Sequence, residues 1–276
     1  MLVAEREGAV VGFGADMRWQ FRTGDRVVAA VRGVDLAVLP EYRGMGVSMA
    51  VRGAAQYPSD AALFWSNPNA AARVGDRKAG KRQGVEVLAD FLRPSRPART
   101  IGRRLASASR TPARVIVEAP PVAELLDDPA WMTLLASSAP PGEQLMTART
   151  PAYMRWRYRH DSYRAVRVES GGATRAAAVF RCRRHGSFWV SHICELLVDE
   201  RDHRSVARLL GEVRDAAPAD FLRCSFRSRA QAVRHGFVHP RRRGCALTVH
   251  PLREELLPDP TLARSWSLSI GDLELL

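Results

Sequence analysis

Several features are scarce in this sequence, and each scarcity removes a class of function. No apolar run approaches the roughly 20 residues that a membrane span needs. No basic-then-apolar leader opens the chain, and Met1-Leu2-Val3-Ala4-Glu5 already reads as strand. Cysteine is rare: Cys182, Cys194, Cys224 and Cys245 all fall in the second half and lack metal-ligand spacing. Each sits in an apolar, strand-like run, so buried thiols are expected rather than a disulfide framework or a metal site. Together with the missing export signal, this points to the cytoplasm. Histidine offers no ligand cluster and no nucleophile–base spacing. His192 reads as a core residue, and His235 and His239 flank Gly236 in a basic loop.

Acidic residues are outnumbered, and the formal net charge is +13 over 276 residues. The arginines are scattered rather than interleaved with aromatics, and no nucleic-acid motif accompanies them. A solvated arginine-rich surface with a pocket for an anionic ligand is the reading adopted over nucleic-acid binding. Two clusters stand apart, Arg241-Arg242-Arg243 and the run Arg99, Arg103, Arg104, Arg110, Arg114. The latter reads as a solvated linker or short helix, with a phosphate-binding arm as the sharper alternative.

What is present centres on Val34-Asp35-Leu36-Ala37-Val38-Leu39-Pro40-Glu41-Tyr42-Arg43-Gly44-Met45-Gly46-Val47-Ser48. Val34, Leu36, Val38 and Leu39 predict a buried strand, and Pro40 ends it because it cannot donate to a ladder. Gly44 and Gly46 then leave the backbone bare where a helix over about 47–56 begins. Helix N-termini carry unpaired N–H groups and partial positive charge, which suits phosphate. Arg43 adds a full charge.

Around this unit the chain reads as a hairpin over 2–22, a central strand over 27–39, the helix, and a strand at 61–65. Asn67 then suits an N-cap, Pro68 a first helical position, and a helix to about Lys78 follows. A last strand runs over 84–92. After a Pro- and Ser-rich stretch, residues 122–276 show helices near 131–135 and 151–159. They also show a strand pair over 163–182 and a long strand over 188–198. Val206, Leu209, Leu210 and Val213 form one helical face. A strand at 221–224, a helix from Ser228 to Gly236 and a last strand over 244–250 complete the second half. The layout hairpin, central strand, helix, strand, helix, strand thus occurs twice, with negligible identity between the halves. The expected fold is α+β with a mixed sheet in each of two units: 1–98, a linker over 99–121, and 122–276 with an apolar tail.

Arg43-Gly44-Met45-Gly46-Val47-Ser48 resembles the acyl-CoA pyrophosphate loop of the GNAT acyltransferase superfamily, Gln/Arg-x-x-Gly-x-Gly/Ala. Ser48 stands where that family has glycine or alanine. Val38-Leu39-Pro40-Glu41-Tyr42 before it is also typical of the family. The match covers roughly residues 2–93. The layout, the Trp156-Arg157-Tyr158 helix and the tail resemble tandem GNAT-like proteins of actinobacterial type. The resemblance implies acyl-CoA-dependent N-acyl transfer to an amine by direct attack, with acetyl-CoA as donor and no metal. It implies donor contacts from Leu36, Val38, Arg43, Gly44, Met45, Gly46, Val47, Ser48, Asn67 and Asn69. The family also has a first strand and one or two helices before the hairpin that begins here at Leu2. Either Met1 is a late start, or the second half supplies that wall.

Asp35, an acid in an apolar strand, is the candidate general base, with burial expected to raise its pKa. A structural aspartate paired with Arg32 is the competing reading, and both stay open. The family's general-acid tyrosine has no counterpart between Asn67 and Lys81. Tyr42 is read as packing beside the loop, and Leu276 as part of a docked tail, with entry of its carboxylate into the site as the alternative. In the second half Asp199-Glu200-Arg201-Asp202-His203-Arg204 replaces the glycine loop with acids that would repel a diphosphate, so that unit is expected to be degenerate. The alternative to an enzyme is an inactive CoA-binding or protein-interaction module.

Overall fold

The computed structural model describes residues 1–69, 72, 83–87, 91–95, 117–137, 144–199, 201–226, 228–239 and 245–273. The arginine run 99–114, Arg241–Arg243, most of the helix expected after Asn67, and Leu276 lie outside them.

In chain order the strands and helices are β1 (Leu2–Arg6), β2 (Ala9–Thr23), β3 (Arg26–Val38), α1 (Val47–Gly53), β4 (Leu63–Ser66), β5 (Gln83–Val87) and β6 (Phe91–Pro94). The second half adds α2 (Pro129–Ser137), β7 (Met146–Thr147), α3 (Pro151–Arg157), β8 (Arg164–Ser170), β9 (Ala173–His185) and β10 (Phe188–Leu197). It closes with α4 (His203–Ala216), β11 (Phe221–Cys224), α5 (Arg229–Arg234), β12 (Cys245–Pro251) and α6 (Ile270–Leu273).

Two sheets result, and they trade strands. The first has the order β1-β2-β3-β4-β12-β5, with β7 pairing β2; the second has the order β6-β11-β10-β9-β8. Strand β12 from the end of the chain lies between β4 and β5, pairing Val249 with Trp65 on one side and Leu247 with Val85 on the other. Strand β6 crosses the other way, pairing Phe91 with Cys224 of β11. This corrects the expectation of one last strand over 84–92 and of a last strand over 244–250 in the second half's own sheet. Alternation of apolar residues fixes which residues face a core but not which sheet the strand joins. Each exchanged strand satisfies its backbone in a sheet built by distant sequence.

Burial follows the sequence pattern only in part: of the strand expected to be buried, Val34, Leu36 and Val38 are half-buried and Leu39 is exposed, because β4 does not continue beside β3 past Gly33. On one face of the first sheet, Trp19, Phe21, Leu63 and Trp65 pack with Leu145, Trp266 and Leu268. Arg32 belongs to that face, 1% exposed, with its guanidinium 4.7 Å and 4.5 Å from the rings of Trp19 and Trp65. Aromatic faces accept a cation as partial replacement for water. On the opposite face lies α1. Gly12 and Gly14 permit its approach, since a Cβ at either would come within 2.9 Å and 2.7 Å of the Val47 and Val51 methyls. The second sheet is covered on both faces. Val206, Leu209, Leu210 and Val213 of α4 pack on Phe180, Ile193 and Leu222, while Trp131, Met154, Tyr158 and Tyr163 pack on Val179, Cys194 and Leu197.

Helix starts obey local chemistry. Thr150, Asp202 and Ser228 cap α3, α4 and α5, each accepting from the N–H three residues on. Cys182, Cys194 and Cys224 are free thiols; Cys194 and Cys224 are buried and Cys182 half-buried.

Candidate acyl-donor cleft and the tail

The central strands β3 and β10 share a defect. In β3, Asp35 pairs with Ala15 but Gly33 pairs with Asp16, so Val34 is an extra residue. In β10, Glu195 pairs with Val179 and Ile193 with Phe180, so Cys194 is the extra residue. Such bulges bend and twist a strand. Beyond each bulge the parallel neighbour departs. Strands β3 and β4 pair only as far as Gly33 with Ser66, and β10 and β11 only as far as His192 with Arg223. Each splay opens a cavity, of about 280 Å³ beside β3 and about 310 Å³ beside β10.

The first cavity is lined by Gly14, Asp35, Leu36, Phe64, Asn67 and Asn69, among others. From Val34 to Val38 the edge of β3 has no β4 partner. That edge ends at the loop. A single 3₁₀ turn over Pro40–Tyr42 follows, and the Arg43 Nε donates to the Val38 carbonyl at 3.2 Å. Gly44 and Gly46 both have φ of 82°, and nothing lies within 4 Å of where a Cβ would stand at either. Gly46 is the N-cap of α1, its carbonyl accepting from the Met49 and Ala50 N–H groups at 2.9 and 3.0 Å. Val47 and Ser48 open the helix half-buried, while Arg43, Gly44, Met45 and Gly46 are exposed. The first N–H groups of a helix have no partner within it, so this open loop can present backbone donors and the Arg43 charge to an anion. Tyr42 packs beside it, with the Arg6 guanidinium 5.8 Å from its ring.

The structure thus brings Asp35, Leu36, Asn67 and Asn69 to one cavity, while Val38 and Arg43–Ser48 are not among its lining residues and lie at the end of β3 and the start of α1. One expectation changes. Asp35 is exposed, so the burial expected of it is absent. After β4 the Asn69 Oδ1 accepts from the Ala72 N–H at 2.9 Å, and Asn67 Nδ2 donates to the Leu273 carbonyl at 3.2 Å. Most of the helix expected from an Asn67 cap lies outside the described residues. Asp16, Gly33, Arg52 and Ser66 also line the cavity and had no motif to announce them.

The second splay is different in kind. Where the first has glycines, Asp202 accepts from the Ser205 N–H at 3.1 Å and from its hydroxyl at 2.6 Å. Those hydrogen bonds, the hydroxyl's first, hold the Asp202 carboxyl below the usual range. A carboxylate therefore stands at the helix tip where a diphosphate would have to bind. Beside the bulge sits the chain's own tail. A Cβ on Gly271 would overlap the Tyr158 hydroxyl and come within 3.0 Å of the Cys194 carbonyl. Arg149 donates to Glu195 at 2.6 Å and to Asp272 at 3.3 Å. Tyr158 and Ser269 hydroxyls donate to the other Glu195 oxygen at 2.5 and 3.2 Å. Asp272 further accepts from the Ser269 N–H at 2.7 Å and the Tyr153 hydroxyl at 3.4 Å. Arg157, 4% exposed, donates to the Gly271 carbonyl at 3.0 Å.

Burial sets the electrostatics of this network. It pushes the Glu195 carboxyl up, with Asp272 adding to the rise and Arg149 opposing it. Burial alone would lower Arg149, but the Glu195 and Asp272 carboxylates outweigh it, so the guanidinium stays charged. Tyr153 and Tyr158 are raised, burial first and the carboxylates next, and act as neutral donors. The network was legible in part. Glu195 within Ile193-Cys194-Glu195-Leu196-Leu197 carries the signal that singled out Asp35, an acid in an apolar strand. Nothing in the sequence linked it to Arg149 or Asp272.

Among the described residues, no three His, Cys, Asp or Glu side chains are placed to hold a metal, and no helix is long and apolar enough to cross a membrane.

Comparison with family models finds no match, and neither does comparison with curated proteins. Solved structures do match. A GCN5-related N-acetyltransferase from Anabaena variabilis superposes with a TM-score of 0.59 at 16% identity, over 89% of this chain and 61% of that one. A GCN5-related N-acetyltransferase from Kribbella flavida gives 0.56 at 17%, over 90% and 59%. A conserved protein of unknown function from Enterococcus faecalis gives 0.55 at 12%, over 88% and 60%. The chain therefore has the α+β fold of GCN5-related N-acetyltransferases across nearly its whole length, and it spans about three-fifths of those proteins.

Proposed function

We propose that this chain is a cytoplasmic acyl-CoA-dependent N-acyltransferase, with acetyl-CoA as donor and an amine as acceptor. The observation that supports the reading is the cavity between β3 and β4, lined by Asp35 and Asn67, together with the open Arg43–Ser48 loop at the start of α1, whose later residues Val51 and Arg52 line that cavity. Its parts fit a long thioester with a diphosphate end. Bare glycines and the α1 amides suit the phosphates, and the Val34–Val38 edge, which β4 does not pair, suits an amide-rich arm. The three free thiols suit a reducing compartment.

In the reaction the amine nitrogen attacks the thioester carbonyl. The N–C bond forms, the C–S bond breaks, and CoA leaves as a thiolate. Asp35, lining the cleft with water access, takes the proton lost by the amine directly or through water. That proton, or one from solvent, neutralises the thiolate. Backbone N–H groups on the β3 edge beyond Gly33 would stabilise the developing oxyanion.

A second reading, a CoA-binding module without turnover, is favoured by the exposure of Asp35 and by the lack of any tyrosine over 67–81. Incubation with acetyl-CoA across a broad amine panel separates the two. Acceptor-dependent thiol release supports transfer, and binding with no release for any amine supports the module.

A further inference from the structure

The tail joins the two clefts. Its Trp266 packs against Phe21 and Trp65, with ring centroids 5.3 and 6.2 Å apart. Ser225 donates to the Leu268 carbonyl at 2.8 Å. Gly271 and Asp272 then seat on the β10 bulge, held by Arg149, Tyr153 and Arg157. One residue later Leu273 accepts from Asn67, which lines the first cleft. The tail reaches that cleft on the Trp19–Trp65 face of the first sheet. The glycine loop and α1 lie on the opposite face, where Val47 and Val51 meet Gly12 and Gly14. A donor held from the α1 side leaves the tail's side to the acceptor.

We propose that the second unit is a clamp: Arg149, Glu195 and Asp272 are positioning residues that fix Leu273 on Asn67 and so set the acceptor side of the first cleft. This rests on the acyltransferase reading for its kinetic consequence, but not for its structural one. In the first unit the space beside the bulge is open for a ligand. In the second a cavity remains beside the strand, but the chain seats its own tail on the bulge, and a buried guanidinium between two carboxylates locks the tail in place. Replacing a buried ion pair by packed apolar side chains often leaves stability unchanged, so the role assigned to this network is to fix one arrangement. The arrangement specified here is the join between the tail and Asn67.

The test uses the full chain carrying Asp272→Asn, with Tyr153→Phe as a milder variant that removes only the hydroxyl facing Asp272. Hydrogen exchange by mass spectrometry reads the join directly. In Asp272→Asn, amides of 265–273 and of 63–69 should both exchange about tenfold faster or more, while those of β9 and α4 hold. Tyr153→Phe should move the same two segments by less. In turnover assays with any amine that the wild type acylates, kcat/KM for the amine should fall about tenfold. The acetyl-CoA dissociation constant should stay within about twofold. Loosening of the tail with 63–69 unchanged overturns the clamp, as does equal loss of donor and acceptor parameters. If the wild type binds no acetyl-CoA, the acyltransferase reading fails, and the exchange experiment still decides whether the clamp exists.

Discussion

Asp35 and Glu195 each stand immediately after a one-residue bulge in a central strand, and their surroundings have made them opposites. Asp35 is exposed beside an open cleft, whereas Glu195 is 1% exposed and tied to Arg149, Tyr158 and Ser269. One position in a repeated layout thus yields a water-facing carboxylate in one unit and a structural one in the other. Asp35→Asn should lower kcat by about 10²- to 10⁴-fold, the usual range for losing a proton acceptor. Acetyl-CoA affinity and melting temperature should change little. Undiminished kcat with a good acceptor would remove Asp35 from the mechanism.

Glu195 gives a pH signature. Burial raises its folded pKa above the ordinary glutamate value of 4.5. A raised carboxyl contributes stability that is complete below that ordinary value and is lost as pH climbs through the folded one. Wild type should therefore lose stability relative to Glu195→Gln as pH rises from about 4.5 toward neutrality. Denaturant titrations of both proteins at several pH values measure the gap. A gap independent of pH contradicts the raised pKa.

Removing the cation should be harsher than removing either acid. Arg149→Met leaves two carboxylates facing each other in a water-poor site, and unfolding free energy should fall by about 3–5 kcal/mol. Chemical denaturation of the purified variant checks this, and a loss below about 1 kcal/mol would mean that solvent reaches the network.

The sequence showed what each strand is but not always where it goes. The strand–Pro40–glycine–helix unit was readable because each step has a local cause: apolar alternation, a missing N–H at Pro40, and positive φ at Gly44 and Gly46. The face formed by Val206, Leu209, Leu210 and Val213 was readable for the same reason. The exchange of β6 and β12 was not, because pairing partners lie more than a hundred residues apart and nothing local encodes them. Nothing local encodes the contact from Asn67 to the Leu273 carbonyl either, since the two lie 206 residues apart.

That exchange makes each half depend on the other. Fragments 1–121 and 122–276 expressed alone would leave β4 and β5 without β12 between them, and β11 without β6. Both should be insoluble or lack a cooperative melt, while co-expression should yield a complex that purifies together. Two separately soluble, cooperatively folded fragments would contradict the pairing.

Cys182 should be inert. Burial, against a weaker opposing hydrogen bond with Ser191, pushes its thiol up to about 11. Cys194 and Cys224 are buried. Only the thiolate attacks disulfide reagents, so none of the three should be labelled at pH 7.5 without denaturant. Prompt labelling at any of them, mapped by peptide mass, would show that the core opens.

The central claim is that the β3–β4 cleft and the Arg43–Ser48 loop hold an acyl-CoA. Isothermal titration of acetyl-CoA and of CoA into the full chain tests it most directly, with Gly46→Ala alongside. Alanine at a φ of 82° costs about 1–2 kcal/mol and disturbs the helix tip. Wild type should bind both ligands with a dissociation constant well below millimolar, and Gly46→Ala should bind about tenfold more weakly, equivalent to 1.4 kcal/mol. No measurable heat of binding in the wild type, or an affinity that ignores Gly46, would contradict the account.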